Sequence, residues 1–376
     1  MPKRTVLSSL GLNFDFCLVL QSRGAAHCDY QPLEVATAGQ LLVSVATARM
    51  THMTIKDVAR HDVSEQRVEQ ALEDIERRAH SRWHTMQYDC YSDERLEGLR
   101  DELLDHIAAR TVADPEPGTA PSRIVLRTAA ECALGLLSLG CYPNGDQEIS
   151  FTLVGEKLSS DDCDFEAVVE QAATARTWLD AFALSVISGM IWEQGLVIGL
   201  MLRGDYAPDI RSGVPHSKLE STSDPGELAE MDALCGYLTQ AEGHLPRHWP
   251  SVTLCKPTAD ERAEATRQLD TLDALTPDQR LLRVLLEDDQ SAFEQALGHR
   301  LVQHRDCAPS DAAPRSLLPQ KTIALAALAV QVHGWGLRVQ SAYLPQALLS
   351  APEGAPSVGG RTGARATVST LPPDET

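Results

Sequence analysis

Aromatic side chains are scarce in this sequence: Phe, Trp and Tyr together make up 5% of its 376 residues. That weighs against an isoprenoid cyclase, whose cavity needs aromatic faces to steady a carbocation. Basic residues are also in the minority. Lys and Arg number 33 against 53 Asp and Glu, a formal charge of −20. Nucleic-acid backbones are gripped by Lys and Arg displacing counterions, so no nucleic-acid partner is expected. The same imbalance suits a basic protein partner and keeps a chain soluble. No CxxC pair occurs among the nine cysteines, and their odd number and irregular spacing do not suit a secreted disulfide framework. They read as scattered thiols of a cytoplasmic protein. The patterns GxGxxG, GxxxxGK followed by Ser or Thr, and GxSxG are all missing. No clean membrane-spanning run is present either. Ala181–Leu202 comes nearest, but Glu193 and Gln194 interrupt it, and a charge at mid-membrane costs about 2.5–3.5 kcal/mol. It reads as a buried core helix with its polar pair at an edge or a turn. The opening Met1-Pro2-Lys3-Arg4 resembles the start of a signal peptide, yet Asn13 and Asp15 break the apolar stretch behind it.

What the sequence does hold is helical periodicity. Apolar residues recur at three- and four-residue spacing in Leu33–Met53, in the segment opened by Ser64 (Val68, Leu72, Ile75, Ala79), and from Ser92 to Ala109. Further helices are expected from Arg123 to Leu139, along the longest run, Phe165–Leu202, and over Glu227–Ala241. A break in that longest run is expected at Ser188-Gly189 or Gln194-Gly195. Thr258 and Thr276-Pro277 read as helix starts, Gln290–His304 as another helix, and Ser316–Val332 as a helix buried all round. Strand signals are limited to Ser150–Val154 and Leu337–Gln340, neither with an evident partner. The expected fold is all-α, an irregular multi-helix array of antiparallel helices. Ala113–Ser122, with three prolines and a glycine, marks the best internal boundary. The expected organisation is therefore an N-terminal helical segment (1–112), a Pro-rich connection (113–122), a main helical domain (123–350) and a disordered tail (351–376).

Three constellations could carry chemistry. Asp161, Asp162 and Asp164 precede the longest helix and, with Glu287, Asp288 and Asp289 downstream, loosely match the paired magnesium motifs of helical isoprenoid enzymes. The spacings differ from that pattern, and acidic residues at helix N-termini are accounted for by the macrodipole. His80 and His84 stand at the i, i+4 spacing of a zinc pair, but Ser81 and Arg82 occupy the positions where a glutamate is needed, and no third ligand is evident. Trp178, Trp192 and Trp335 lie in apolar contexts that read as core. No metal, cofactor or catalytic residue is expected.

The C-terminal third carries a combination that resembles a known family. Asp288-Asp289 precede Phe293; His304-Arg305 follow; Leu318-Pro319 open an alanine- and leucine-rich helix; Trp335 stands behind a glycine; and Tyr343-Leu344-Pro345 precede Leu348-Leu349. Upstream, Ala172-Ala173, Trp178, Ala181 and Leu184 fit its central helix. Together, from about Phe165 to Leu349, these are similar to the immunity 49 family, immunity proteins of bacterial polymorphic toxin systems. The resemblance implies neutralisation of a cognate protein toxin by binding, without a reaction. The toxin is expected to be basic, a nuclease for example. The resemblance brings no contact residues with it, so Asp161, Asp162, Asp164, Glu287, Asp288 and Asp289 stand as the candidate partner-facing patch on charge alone. Two other readings remain open: a helical scaffold for an endogenous protein, and a magnesium-dependent isoprenoid enzyme with Asp161 and Asp162 facing a deep apolar cavity.

Overall fold

The computed structural model describes residues 57–355 apart from 115–116, 194, 242, 244–247, 251 and 353. The helix expected over Leu33–Met53 and the tail from residue 356 onward lie outside these. The fold is all-α apart from two small two-stranded pairings. Strand β1 (Asp57–Val58) pairs in parallel with β4 (Gln340–Ser341), and β2 (Glu148–Phe151) pairs antiparallel with β3 (Glu156–Ser159). The sequence candidates Ser150–Val154 and Leu337–Gln340 overlap these strands only in part, at Ser150-Phe151 and at Gln340.

Helices form where periodicity and caps agree, and they break where a cap falls inside an apolar run. The segment after Ser64 is two helices, α1 (Glu65–Leu72) and α2 (Ile75–Tyr88), because the Asp74 carboxylate accepts from the Arg77 amide at 3.1 Å and restarts the chain. Helix α3 (Asp93–Ala113), capped by Ser92, turns its Leu96, Leu99, Leu103 and Ile107 stripe inward, each fully buried. Burial of each such side chain contributes about 1.5–3 kcal/mol. Helix α4 (Ala120–Cys141) starts three residues earlier than periodicity suggested, with Pro121 in its first turn where the missing N–H is not needed. It is long and apolar enough to cross a bilayer, yet most of it is buried against α3 and the helix beyond it. Helices on both sides of the Pro-rich connection therefore pack face to face, and Trp83, Leu99, Leu137, Phe293 and Leu325 belong to one continuous hydrophobic cluster.

The run from Phe165, expected as a helical stretch with a break at Ser188-Gly189 or Gln194-Gly195, is divided further. A single turn, α5 (Phe165–Val168), gives way to extended chain, and α6 (Ala175–Ile187) begins at a capping box in which Thr174 and Thr177 bond reciprocally. The buried Asp93 carboxylate holds the intervening chain by accepting from the amides of Glu170 (2.9 Å) and Gln171 (3.2 Å). Gly189, at φ +79°, ends α6 as expected, and a Cβ there would lie 2.9 Å from the Pro352 ring. Then follow α7 (Met190–Glu193), α8 (Gly195–Met201), a π-helical turn (Leu202–Tyr206) and α9 (Ala207–Arg211). The stretch Ala181–Leu202 thus comprises the second half of α6, then α7 and α8, instead of one core helix. Helix α10 (Pro225–Cys235) is shorter than periodicity suggested.

In the C-terminal part, α11 (Ala259–Asp270) and α12 (Pro277–Leu286) each open on a capping box, Thr258 with Glu261 and Thr276 with Gln279. Helix α13 (Gln290–Asp306) follows. The stretch expected as one helix from Ser316 is a 3-10 turn (Pro314–Leu317) and then α14 (Gln320–Gln331), parted by Pro319, which disfavours a helical residue before it. The short α15 (Gln346–Leu349) packs on α14.

Candidate interaction cleft

The six acidic residues singled out from the sequence have different surroundings. Asp161, Asp162 and Asp164 are exposed after β3, and Asp161 and Asp162 add to the field on Lys157. None of them lines either of the two cavities described below. The isoprenoid reading required Asp161 and Asp162 inside a deep apolar chamber; their open position removes it. Among the described residues, no group of three or more His, Cys, Asp and Glu side chains is placed to hold a metal ion.

The other three acids serve the fold. Glu287 pairs with Arg283, which also reaches Asp270 at 2.6 Å. Asp289 caps α13, accepting from the amides of Ser291 (2.8 Å) and Ala292 (3.1 Å). Asp288 sits at φ +63°, a strained conformation for a residue with a side chain. It is held there by Lys256 at 2.7 Å, Arg262 at 3.4 Å and His333 at 2.8 Å. Partial burial raises its pKa, but the Lys256 and His333 bonds outweigh that and keep its carboxyl below the usual range. His333 is pushed below its ordinary value by burial despite Asp288. One tautomer satisfies this site: Nδ1–H donates to Asp288, and the Tyr237 hydroxyl, 3.0 Å away, donates to Nε2. The Trp335 ring lies 4.6 Å from His333 and 5.6 Å from Phe293, closing the cluster.

A second polar cluster ties the two ends of the described chain together. The His304 Nε2–H donates to the Ser316 carbonyl at 2.7 Å, and the His304 ring meets Tyr343 edge-on. The Tyr343 hydroxyl lies 2.6 Å from His61 Nδ1 and accepts from the His61 amide at 2.8 Å. His61 Nε2 reaches the Ser316 hydroxyl at 2.8 Å. A third lies between α10, α12, α13 and α14: the Arg300 fork donates to Asp278 at 2.8 and 3.0 Å, and the Thr322 hydroxyl donates to it at 2.7 Å. Beside it the buried Glu230 accepts from Gln279 at 3.3 Å.

Two cavities among the described residues share the α8 side chains Val197 and Met201. The larger cavity, about 1210 Å³, lies between α8, the π-helical turn, α10 and α11. Its floor is buried and apolar: Ala233, Cys235, Pro257, Ala265 and Leu286. Asp205, Asp260 and Glu261 are exposed at its edge, Asp232 and Glu264 half-buried. Three guanidiniums also line it. Arg203 donates to the Leu238 carbonyl, Arg211 pairs with Asp232 at 2.6 Å, and Arg267 pairs with Glu264. The smaller cavity, about 310 Å³, holds Glu131, Asp146 and Glu148 and no basic side chain. Val197 and Met201 line both, so α8 is a ridge between two depressions, and Val197 is 47% exposed on it.

The family model described as Immunity protein 49 matches residues 116–348. The chain belongs to the Immunity protein 49 family. No curated protein and no solved structure matches it. The Immunity protein 49 match begins within the Pro-rich connection and ends in α15, yet α3 and β1, which precede it, pack on α4 and pair with β4 to complete the same core. Most of the residues that carried the family resemblance lie inward, Asp289 being exposed and Arg305 half-exposed. Phe293 and Tyr343 are fully buried; Trp335, Asp288 and His304 join the clusters above. Trp178, on the buried face of α6, donates its indole N–H at 2.8 Å to the Leu202 carbonyl, which also accepts from Ala207 across the π turn. That bond braces the wall carrying Arg203, Gly204 and Asp205. The cleft itself was not found from the sequence. Its one local signal was the glycine-rich break after Ser188, which leaves α8 a short, apolar, incompletely covered helix.

Proposed function

We propose that this Immunity protein 49 chain protects the cell that makes it by binding a cognate toxin in the cytoplasm and covering its working surface, with no reaction of its own. The family match over residues 116–348 carries the reading. The formal charge of −20 supports a basic toxin, since opposite fields speed encounter and reject wrong partners. The polar clusters favour binding over chemistry, because each is closed by internal partners: Asp288 by Lys256, Arg262 and His333, and Asp278 by Arg300 and Thr322. Among the described residues, Cys90, Cys132, Cys141, Cys163, Cys235 and Cys307 are free thiols, which suits a reducing compartment. The test is co-expression with products of neighbouring genes. Rescue from one lethal neighbour, with a complex whose association rate falls as salt rises, is the expected result. Persisting toxicity with every lethal neighbour overturns the reading.

A further inference from the structure

We infer that the larger cavity beside α8 is the docking surface for one basic, amphipathic helical segment of the toxin, about three turns long. This rests on the immunity reading above and specifies where and how the partner is held. Size is the first argument. A helix roughly 10 Å across, rising about 1.5 Å per residue, fills roughly 1,200 Å³ in about ten residues. The cavity is about 1210 Å³, larger than the roughly 300–1,000 Å³ of small-molecule sites.

Chemistry is the second argument. Protein interfaces place apolar contacts at the centre and polar groups at the rim. Here the buried floor is apolar, Val197 stands exposed on the ridge, and Asp260 and Glu264 lie along α11 at the edge. Five carboxylates line the cavity against three guanidiniums, while in the smaller depression across the ridge Glu131 and Glu148 are already paired with Arg127 and Lys157. An apolar stripe flanked by Lys or Arg complements this arrangement, and an acidic segment is repelled by it. Local structure is the third. The wall next to the ridge is π-helical, a form of turn concentrated at functional sites.

The experiment uses the full chain and a fluorescein-labelled 18-residue amphipathic peptide with Leu on one face and Lys on the other. A counterpart carrying Glu for every Lys is the control. Anisotropy titration at physiological salt is expected to show binding of the Lys peptide and not of the Glu peptide. The substitution Val197→Asp, at an exposed site, should weaken binding at least tenfold, as should Asp260→Lys with Glu264→Lys. The pair Glu65→Lys with Glu69→Lys on α1 makes the same charge change away from the cavity and should stay within twofold. Thermal melts establish that each variant is folded. Equal weakening by the two charge-reversed pairs would assign the binding to net charge alone and overturn the inference, as would an unaffected Val197→Asp or failure of the Lys peptide to bind. In the co-expression assay, rescue by Asp260→Lys with Glu264→Lys equal to wild type overturns the docking site and leaves the immunity reading standing. Absence of rescue by the wild-type chain removes that reading itself.

Discussion

Glu230 gives the sharpest test of how burial governs this molecule. It lies on α10, 4% exposed, beside Gln279 and near Lys321 and Asp278. Burial dominates, pushing its carboxyl from an ordinary 4.5 up to about 7. The folded protein therefore binds a proton that the unfolded chain releases between those two values. The stabilisation that this proton provides is complete below pH 4.5 and is lost as pH rises through about 7. At about 1.36 kcal/mol per pH unit the loss comes to roughly 3 kcal/mol. Glu230→Gln is neutral at every pH and keeps an oxygen for the Gln279 amide. The variant should match wild type near pH 4.5 and exceed it by about 3 kcal/mol at pH 8, some 6 °C in Tm at about 2 °C per kcal/mol. Thermal melts of both proteins at half-unit pH steps provide the comparison. A stability difference that does not change with pH, or a wild type that is the more stable at pH 8, would refute burial as the cause.

Asp278, in the same region, should answer in the opposite sense. Its fork from Arg300 and the Thr322 hydroxyl outweigh burial and hold its pKa below the usual range, so Asp278→Asn should cost about 3–5 kcal/mol in urea unfolding by stranding a buried guanidinium. Gly140→Ala should lose about 1–3 kcal/mol in the same assay, since a Cβ there would stand 2.6 Å from the Ala173 nitrogen. Acid should destabilise through histidine: burial holds His61, His106, His304 and His333 below 6.5. The unfolded chain then takes up protons below pH 6.5 that the folded one refuses, and stability falls as pH drops. Melts at pH 7 and pH 5.5 should show that fall, steeper in Glu230→Gln, which lacks the opposing carboxyl.

Element type was legible wherever hydrophobic period and capping chemistry agreed. The Thr258 and Thr276 starts stand where the residues placed them, α3 begins just after Ser92, and of the two suggested breaks Ser188-Gly189 is the one that ends α6. The long run from Phe165 misled because periodicity does not register a capping box between Thr174 and Thr177, nor a remote anchor such as Asp93. Strand β3 escaped because Glu156-Lys157-Leu158-Ser159 shows no alternation; its hairpin is fixed by Glu131 of α4, which accepts from the Thr152 amide at 2.8 Å. Of the acids singled out by charge, sequence could not separate the half-buried Asp288, held by an ion-pair cluster, from those facing solvent. That separation depends on Lys256 and His333, brought in from distant segments. The cleft was invisible for the same reason, being a relation between α8, α10 and α11.

The arrangement divides labour between arginines and carboxylates. Many guanidiniums are spent holding chain: Arg262 donates to the carbonyls of Pro257 (2.6 Å) and Leu286 (3.1 Å), Arg280 to Leu275 (2.7 Å), and Arg338 to the buried Glu294 (2.9 Å). The apolar and aromatic residues behind the family resemblance, Phe293, Trp335 and Tyr343 among them, belong to that interior frame, and the ridge and rim of the cleft do not. Frame and recognition should therefore separate experimentally. Phe293→Ala, which empties a fully buried site, should cost about 3–5 kcal/mol and lose binding only as far as it loses fold. Val197→Asp should keep its melting temperature within about 2 °C, as exposed substitutions do, and lose binding. The decisive comparison is affinity plotted against stability for the two variants. If Phe293→Ala weakens binding while its Tm is unchanged, the family's shared residues touch the partner directly and the division argued here is wrong.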